Sequence, residues 1–423
     1  MAKLKYKPLN LGRWIVWGGT ALVMILLPQV LTAGFTLTLL SQIGVGLIFA
    51  LSYNMLLGQG GMLSFGHAVY SGLGAYFTVH ALNLITKGAF YFPVTLSPLI
   101  GGVAGAFFGV IFGYVTTKKS GTTFAMISLG IGEMVGACSL MFAGFFGGEA
   151  GISTNRVIGE AFLGISYGPS IQVYYLIVGW ALACMVGMYA WTQTPLGRMA
   201  NAVRDNPERA EFVGYDTHMV RFLTLVISGF FAGIAGGLSC INYEIVTAEN
   251  VGALRSAGVL MATFIGGAGF FFGPIIGSIV FFTMVTAVGS ITQAWAFYLG
   301  LLFLVIVLYA PGGLASLIVM HVPVIKARLM RRLWLPYGAS LVTGVVLLVG
   351  LITVVEMTYR FSLEAGTNPN MTLFGFSFDV TRATPWAIAS AMLVGGFVVS
   401  RLAWNMVGRA WADIAHILQE QSA

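Results

Sequence analysis

Charged residues are scarce in this chain. Asp, Glu, Lys and Arg make up only 8% of the 423 residues, whereas 58% are hydrophobic. A typical soluble domain contains about 25% charged residues. The composition therefore excludes an ordinary soluble protein and predicts a polytopic membrane protein.

Cysteines and nucleotide-binding motifs are also scarce. The three cysteines, Cys138, Cys184 and Cys240, are scattered among apolar runs and predict neither a disulfide framework nor a metal site. No G-x-x-x-x-G-K-[ST] sequence occurs, which excludes a phosphate loop. The apolar runs contain no metal-ligand spacing and no Ser/His pair, so an intramembrane enzyme is the least favoured class. We expect no catalytic residue and no cofactor in this chain.

Long apolar runs dominate the sequence instead. Such runs cross a bilayer as α-helices, because a helix satisfies all its backbone hydrogen bonds internally. The first run follows a basic start without a clear small-residue cleavage site, so we interpret it as a retained span. The predicted spans are 14–33, 35–57, 62–84, 93–117, 122–146, 171–191, 221–242, a short or broken one near 255–269, 272–289, 291–310, 333–356 and 385–407.

The basic residues predict which loops face the cytoplasm. Lys and Arg give a formal net charge of +7 but gather in short segments between the spans, which argues against nucleic-acid binding. With a cytoplasmic N-terminus and alternating sides, 16 of the 21 Lys and Arg residues fall inside. This positive-inside bias places both termini and residues 192–220 in the cytoplasm.

A short internal repeat bears on architecture. Residues 97–103, SPLIGGV, resemble residues 273–279, GPIIGSI. In the predicted topology the first copy enters the membrane from outside and the second from inside, which would make two halves of inverted topology. Chance similarity between two glycine-rich helix starts remains the alternative.

Two glycine-rich stretches interrupt apolar runs, at residues 58–67 and 266–274. Broken helices are tolerated at membrane depth only where they line a cavity or are buried in protein, so both stretches are candidate walls of a transport pathway. The alternative is close helix packing through small residues, which we favour for Gly74, Gly101 and Gly105.

The longest polar segment, residues 192–221, lies between two spans. Pro195 can begin a helix, Pro207 can begin another and Gly214 can end the second. Ala210 and Phe212 offer apolar contact area beside charged residues, as expected for a helix that docks into a partner. A solvated loop is the alternative.

Four motifs in order resemble one family. They are LLGQGGMLSFGHAVYSGLGAYF at 56–77, TPLGRMANAVRDNPERAEFVGY at 194–215, GGAGFFFGPIIGS at 266–278 and LYAPGGLASL at 308–317. All four are similar to permeases of branched-chain amino acid ABC importers, of the longer type that pairs with a second permease. The resemblance covers about residues 35–320, so we divide the chain into a permease core, 1–320, and a C-terminal extension, 321–423.

The resemblance implies an all-α fold and a set of partners. The fold would have about 10 core transmembrane helices in two inverted halves, plus 2 extra C-terminal helices. The implied assembly contains a second permease, two ATP-binding subunits that hold the ATP and Mg, and an extracytoplasmic solute-binding protein, in the lipid of a bacterial inner membrane.

The resemblance also assigns the ATPase contact. Glu208, Ala210 and Gly214 keep three residues of the E-A-A-x-x-x-G pattern by which ABC importer permeases contact their ATPases, while Arg209 occupies the first Ala position. We add Arg204 and Asp205 to this predicted coupling surface, because their charges lie just before it.

Candidate pathway residues come from polar groups within the spans: Asn54, Ser64, His67 and Glu133. Glu133 lies near the middle of its span, where ionisable groups usually face a bundle interior or a cavity. A structural hydrogen bond is the alternative for Glu133, and a satisfied interior position is the favoured one for His67.

Two rival functions remain. An ion-coupled secondary transporter would share broken helices and inverted repeats but would carry more intramembrane charge and work alone, and a channel would need no docking helix. Branched-chain amino acids, other amino acids, urea, amides and organic acids all remain candidate substrates.

Overall fold

The computed structural model describes residues 11–158, 165–364 and 370–420. The basic N-terminal lysines and part of the predicted outer loop at 147–168 lie outside the described residues. The helices are α1 (Leu11–Val30), α2 (Gly34–Asn54), α3 (Ala68–Thr86), α4 (Pro98–Thr116), α5 (Gly121–Met141), α6 (Ala143–Phe146), α7 (Ser170–Gln193), α8 (Pro195–Asp205), α9 (Pro207–Phe212), α10 (Thr217–Tyr243), α11 (Ala253–Gly266), α12 (Gly273–Phe282), α13 (Trp295–Tyr309), α14 (Gly313–Lys326), α15 (Arg331–Glu364) and α16 (Ala383–Glu420).

Strands are few and short in the described part of the chain. β1 (Ile152–Ser153) pairs antiparallel with β2 (Ile245–Val246), and β3 (Asn370–Leu373) with β4 (Phe376–Asp379). The protein is therefore an all-α polytopic membrane protein, as the composition predicts.

Membrane-length helices appear at seven of the predicted spans, whereas the predicted spans 14–33 and 62–84 are not among them. Seven described helices are long and apolar enough to cross a membrane: α2 with its extension to Gln59, α4 with the turn before it, α5, α7, α10, α15 and α16. Helices α13 and α14 are long and apolar enough to cross a membrane only when taken together as one bent span. Helices α11 and α12 are shorter apolar helices. The count of ten core spans stays a prediction.

The chain divides into two compact units. The first contains residues 1–290 and 299–316, and the second contains residues 291–298 and 317–423. The predicted boundary between residues 320 and 321 stays a prediction.

Close glycine contacts hold the first unit together. A Cβ on Gly233 of α10 would overlap the Gly101 carbonyl of α4, and a Cβ on Gly105 would overlap the Gly229 carbonyl. Gly74 of α3 approaches both Gly101 and Gly233 in the same way. The packing interpretation of Gly74, Gly101 and Gly105 is confirmed, since only residues without a side chain permit this approach.

Loops predicted on one side of the membrane contact each other. On the predicted outer side, β1 pairs with β2, and the Arg156 backbone N–H donates to Glu244 at 2.9 Å. On the predicted inner side, a His218 ring nitrogen lies 3.2 Å from the Tyr114 carbonyl oxygen. These contacts agree with the predicted alternation. Which side is cytoplasmic stays a prediction.

The two copies of the internal repeat both begin helices. Pro98 lies in the first turn of α4 and Pro274 in the first turn of α12, where the missing proline N–H costs nothing. The inverted relation between the halves stays a prediction.

The second unit is built on the α15–α16 hairpin. Gly350 of α15 lies against the Leu393 backbone, and Gly396 of α16 lies against Leu347. Glycines therefore again allow two helices to pack closely. Glu356 accepts hydrogen bonds from the Thr292 and Tyr298 hydroxyls at 2.7 and 2.8 Å. The hairpin leaves most of its apolar surface exposed, as expected for helices that face lipid.

Candidate functional site

The first glycine-rich stretch is a true break in a helix. α2 continues as a π-helical turn, Met55–Gln59, and the chain then runs without helix until α3 begins at Ala68. Gly61 has a φ of +64°, a conformation that other residues rarely adopt. Most of the break is buried in protein, with Leu63 and Phe65 half-buried and Gly61 exposed, and burial in protein is the condition for irregular backbone within a membrane.

Serines from distant helices satisfy the backbone of this break. Ser128 of α5 accepts a hydrogen bond from the Phe65 N–H, and Ser256 of α11 accepts one from the Ala68 N–H, both at 3.0 Å. The Tyr53 hydroxyl donates to the Ser64 carbonyl at 3.0 Å. Neither Ser128 nor Ser256 was predicted from the sequence, because no local pattern marks contacts between residues so far apart.

His67 lies at the end of the break and is completely buried. Its Nε2 is 3.0 Å from the Ser52 hydroxyl, its ring stacks on Phe49 with centroids 5.4 Å apart, and Tyr53 and Tyr70 contact it edge-on. His67 is thus interior, but it is not fully satisfied as predicted, because its Nδ1 is buried without a hydrogen-bond partner in the described part of the chain. His67 therefore fixes the start of α3 against α2.

The second glycine-rich stretch meets the first. The Asn54 amide donates to the Phe270 carbonyl at 3.5 Å, and a Cβ on Gly58 would overlap the Ala268 carbonyl. Asn54 and Ser64 are buried, at 2% and 1% exposure. The two predicted pathway residues thus lie where the chain is interrupted, with Asn54 joining both interruptions.

The central polar segment is an ordered element rather than an irregular loop. Each of its helices begins with a side-chain cap: Thr194 accepts from the Gly197 N–H, Asn206 from the Arg209 N–H and Asp216 from the Met219 N–H. Such caps stabilise a helix by about 1 kcal/mol each.

Pro195 and Pro207 stand in the first turns of α8 and α9, as predicted. Gly214 follows α9 with a φ of +92°. The predicted helix starts and the glycine stop are confirmed.

Helix α8 contacts the first break directly. The Arg204 guanidinium donates a hydrogen bond to the Gly58 carbonyl, and the Asn201 amide donates to the Gln59 side chain at 2.8 Å. Arg204 also pairs with its neighbour Asp205 at 2.8 Å. The predicted place of Arg204 on a partner surface stays a prediction.

Helix α9 presents an exposed surface. Ala210 is 4% exposed and anchors the helix, while Phe212 is 90% exposed and Val213 is 70% exposed. Glu208 is exposed on the same short helix. Large exposed apolar side chains beside charged residues are typical of an interaction site.

Glu133 does not face the interior of this chain. It is exposed on α5, beside the exposed Met134 and between the exposed Gly130 and Ala137 along the helix. A carboxylate in the middle of a span is costly against lipid. This face of α5 is therefore chemically unsuited to lipid contact.

Comparison with known proteins identifies the family. The model of the family described as "Branched-chain amino acid transport system / permease component" matches residues 35–310. The high-affinity branched-chain amino acid transport permease LivM of Escherichia coli K12 is 27% identical over 289 residues, 63% of this chain and 67% of the relative, and LivM of Salmonella typhimurium LT2 matches equally well. A probable LivH permease of Methanocaldococcus jannaschii is 31% identical over 119 residues, 28% of this chain and 35% of the relative. No solved structure matches.

The family match spans α2 to α13 and includes both breaks and the central segment. The chain belongs to the family of permease components of branched-chain amino acid transport systems.

Proposed function

We propose that this chain is the longer permease subunit of an ATP-driven importer that carries branched-chain or related amino acids inward. It would work in the bacterial cytoplasmic membrane with a second permease, two ATP-binding subunits and an extracytoplasmic solute-binding protein. Both termini would be cytoplasmic, and ATP and Mg would bind only to the partner subunits. Similarity to both LivM and LivH permeases supports the pairing.

The observation that carries this proposal is the link between the central segment and the first break. Phe212 and Val213 offer a surface to a cytoplasmic ATPase. On the preceding helix, Asn201 and Arg204 hold Gln59 and Gly58 of the break. A movement imposed on α9 would therefore reach a helix interruption inside the membrane through only one connecting helix.

The mechanism follows from this link. ATP binding would draw the two ATP-binding subunits together and shift α9 with α8. Because α8 is hydrogen-bonded to the break, the adjoining ends of α2 and α3 would shift with it. Packed helices switch between discrete arrangements rather than deforming continuously, so the permease would pass from inward-open to outward-open. The permease itself would perform no covalent chemistry.

The face of α5 that carries Glu133 fits the second permease. Another protein subunit would give the carboxylate polar partners that lipid lacks, and Gly130 and Ala137 would let a helix approach closely. Glu133 would then lie between the two permeases, where a pathway shared by both would run.

Transport in liposomes tests the proposal. The full-length chain would be reconstituted with its partner subunits, with ATP enclosed and the binding protein outside. We expect leucine uptake that requires ATP and survives ionophores that abolish proton and sodium gradients. Gradient-driven uptake by the permeases alone would instead identify an ion-coupled transporter, and passive leakage would identify a channel.

A further inference from the structure

A cavity of about 440 Å³ lies in the first unit, at the ends of α10 and α11 away from the central segment. Its walls come from α2, α10, α11, α12 and the turn Ala248–Val251. Pockets that bind small molecules are typically about 300–1,000 Å³. The polar side chains in its lining are Gln42, Ser239, Asn242, Tyr243, Glu249, Asn250 and Arg255.

Arg255 has no anionic partner among the described residues. Its guanidinium donates to the Asn250 side chain at 2.6 Å and to the Ser239 hydroxyl at 3.2 Å, and it lies 5.9 Å from the centre of the Phe49 ring. Its Nε is buried without a hydrogen-bond partner, and no described carboxylate forms an ion pair with it. A guanidinium held by neutral groups beside a cavity is suited to bind a carboxylate through two parallel hydrogen bonds.

Glu249 lines the same cavity from the turn before α11. It is exposed and forms no ion pair within the described part of the chain. A cation and an anion on the same cavity, each without an opposite charge beside it in that part of the chain, match a ligand that carries both charges. A simple anion would be repelled by Glu249, and a simple cation would be repelled by Arg255.

Aromatic and aliphatic side chains complete the lining. Phe281 and Phe282 of α12 and Val259 of α11 provide apolar wall. Gly258 packs closely against the Phe281 ring, since an added Cβ would lie only 3.1 Å from it. The cavity therefore combines two opposite charges with space for an apolar side chain.

We propose that this cavity binds a zwitterionic amino acid with an apolar side chain, Arg255 taking the carboxylate and Glu249 the ammonium group. The inference rests on the proposed transport function and names a binding site for its substrate class within this subunit. Phe49 lines the cavity and stacks on His67, so one aromatic ring separates the bound ligand from the residue that precedes α3.

Ligand analogues test the two charges separately. The full-length chain in lipid nanodiscs would be titrated with leucine, with leucinamide, which lacks the carboxylate, and with 4-methylpentanoate, which lacks the ammonium group. We expect leucine to bind best. Arg255→Gln should weaken leucine binding about tenfold or more but leave leucinamide unchanged, where tenfold corresponds to about 1.4 kcal/mol.

Glu249→Gln should weaken leucine binding to a similar degree and leave 4-methylpentanoate unchanged or improved. Glu149→Gln, an exposed carboxylate that does not line the cavity, is the matched control and should bind all three ligands as the wild type does. Because Glu249 is exposed, its variant preserves the test even if Arg255→Gln fails to fold.

Absence of leucine binding to the wild type would overturn the assignment, as would equal affinity for the three ligands or wild-type affinity in both cavity variants. If ATP-driven leucine uptake persists in that case, the cavity assignment fails and the transport proposal stands. If wild-type uptake is absent although the analogue pattern holds, the transport proposal fails instead.

Discussion

Arg204 in the central segment donates a hydrogen bond to the backbone carbonyl of Gly58, 146 residues earlier in the chain. The contact joins a short helix outside the predicted membrane core to an interrupted helix inside it. A charged donor to a carbonyl is worth about 1.5–3 kcal/mol when well formed. This bond therefore gives the two segments a direct physical link.

The first prediction concerns this bond. Arg204→Ala should lower ATP-driven uptake by about tenfold, equivalent to about 1.4 kcal/mol, while ATP hydrolysis continues, because α8 would no longer hold the break. Arg198→Ala removes the same charge from an exposed position of α8 and should transport normally. Substrate transported per ATP hydrolysed in liposomes measures the effect. Equal ratios in wild type and Arg204→Ala would show that the bond does not couple the two sites.

The second prediction concerns Gly214. Its φ of +92° strains any residue with a side chain, although no described atom lies within 4 Å of the place where a Cβ would stand. Gly214→Val should therefore misplace α9 and weaken recovery of the ATP-binding subunits, whereas Gly214→Asn should be milder, because Asn tolerates positive φ better. Co-purification of the ATP-binding subunits reports the result. If both variants recover the ATP-binding subunits as well as the wild type does, the turn carries no partner contact.

The third prediction concerns Glu208, which is exposed beside Phe212. Glu208→Arg reverses its charge and should weaken the same co-purification, because a lost charge pair at an interface commonly costs about 2–5 kcal/mol. Membrane insertion should be unaffected, as judged by size-exclusion chromatography. Arg209→Glu is the neighbouring reversal for comparison. If Glu208→Arg retains full recruitment and coupled uptake, α9 is not the docking surface.

The fourth prediction concerns Glu133. Glu133→Gln keeps the shape and most hydrogen bonding but removes the charge, so uptake should fall while the assembled complex is recovered in normal amount. Glu149→Gln removes a carboxylate from an exposed loop and should transport normally. The measurement is the initial uptake rate of Glu133→Gln and of the wild type at matched complex concentration. Unchanged uptake would leave Glu133 a structural role at the subunit contact.

The fifth prediction concerns the C-terminal hairpin. Since the family match ends at residue 310 and the α15–α16 hairpin exposes most of its surface, we expect it to be peripheral to transport. Truncation after Arg332 should leave measurable ATP-dependent uptake, although Thr292 and Tyr298 lose their bonds to Glu356. Glu356→Gln in the full chain separates the loss of those bonds from the loss of the helices. No transport by a fully assembled truncated complex would contradict the expectation.

The sequence predicted the long helices well because hydropathy records apolar segments of membrane length, whether they face lipid or protein. The predicted run 35–57, for example, corresponds to α2 and most of its π-helical extension. The last two helices extend beyond the predicted spans, which stop at 356 and 407, whereas α15 reaches Glu364 and α16 reaches Glu420. Hydropathy falls where Arg360 and Arg409 appear, although a helix continues into water without difficulty.

The central segment was predictable because its signals are local. Pro195, Pro207 and Gly214 act on their own backbone, and all three stand where the sequence places them. The partners of the break were not predictable. The Asn201 and Gln59 side chains meet although they are 142 positions apart in the chain, and nothing in either neighbourhood specifies the other.

The role of Arg255 was not predictable from the sequence either. In the sequence it stands out only as one of the few basic residues on the predicted outer side. Its importance depends on Asn250 and Ser239, which occupy its donors without neutralising it. Only a folded arrangement distinguishes a paired cation from an unpaired one.

The shortness of α11 has a consequence for biosynthesis. Its 14 residues rise only about 21 Å, less than the roughly 30 Å of hydrocarbon, so α11 cannot complete a crossing by itself. Gly266 and Gly277 place it in backbone contact with α12. We therefore expect the ribosome-bound chain to keep α11 within the translocon until α12 has emerged, so that the two helices partition into lipid together as a hairpin.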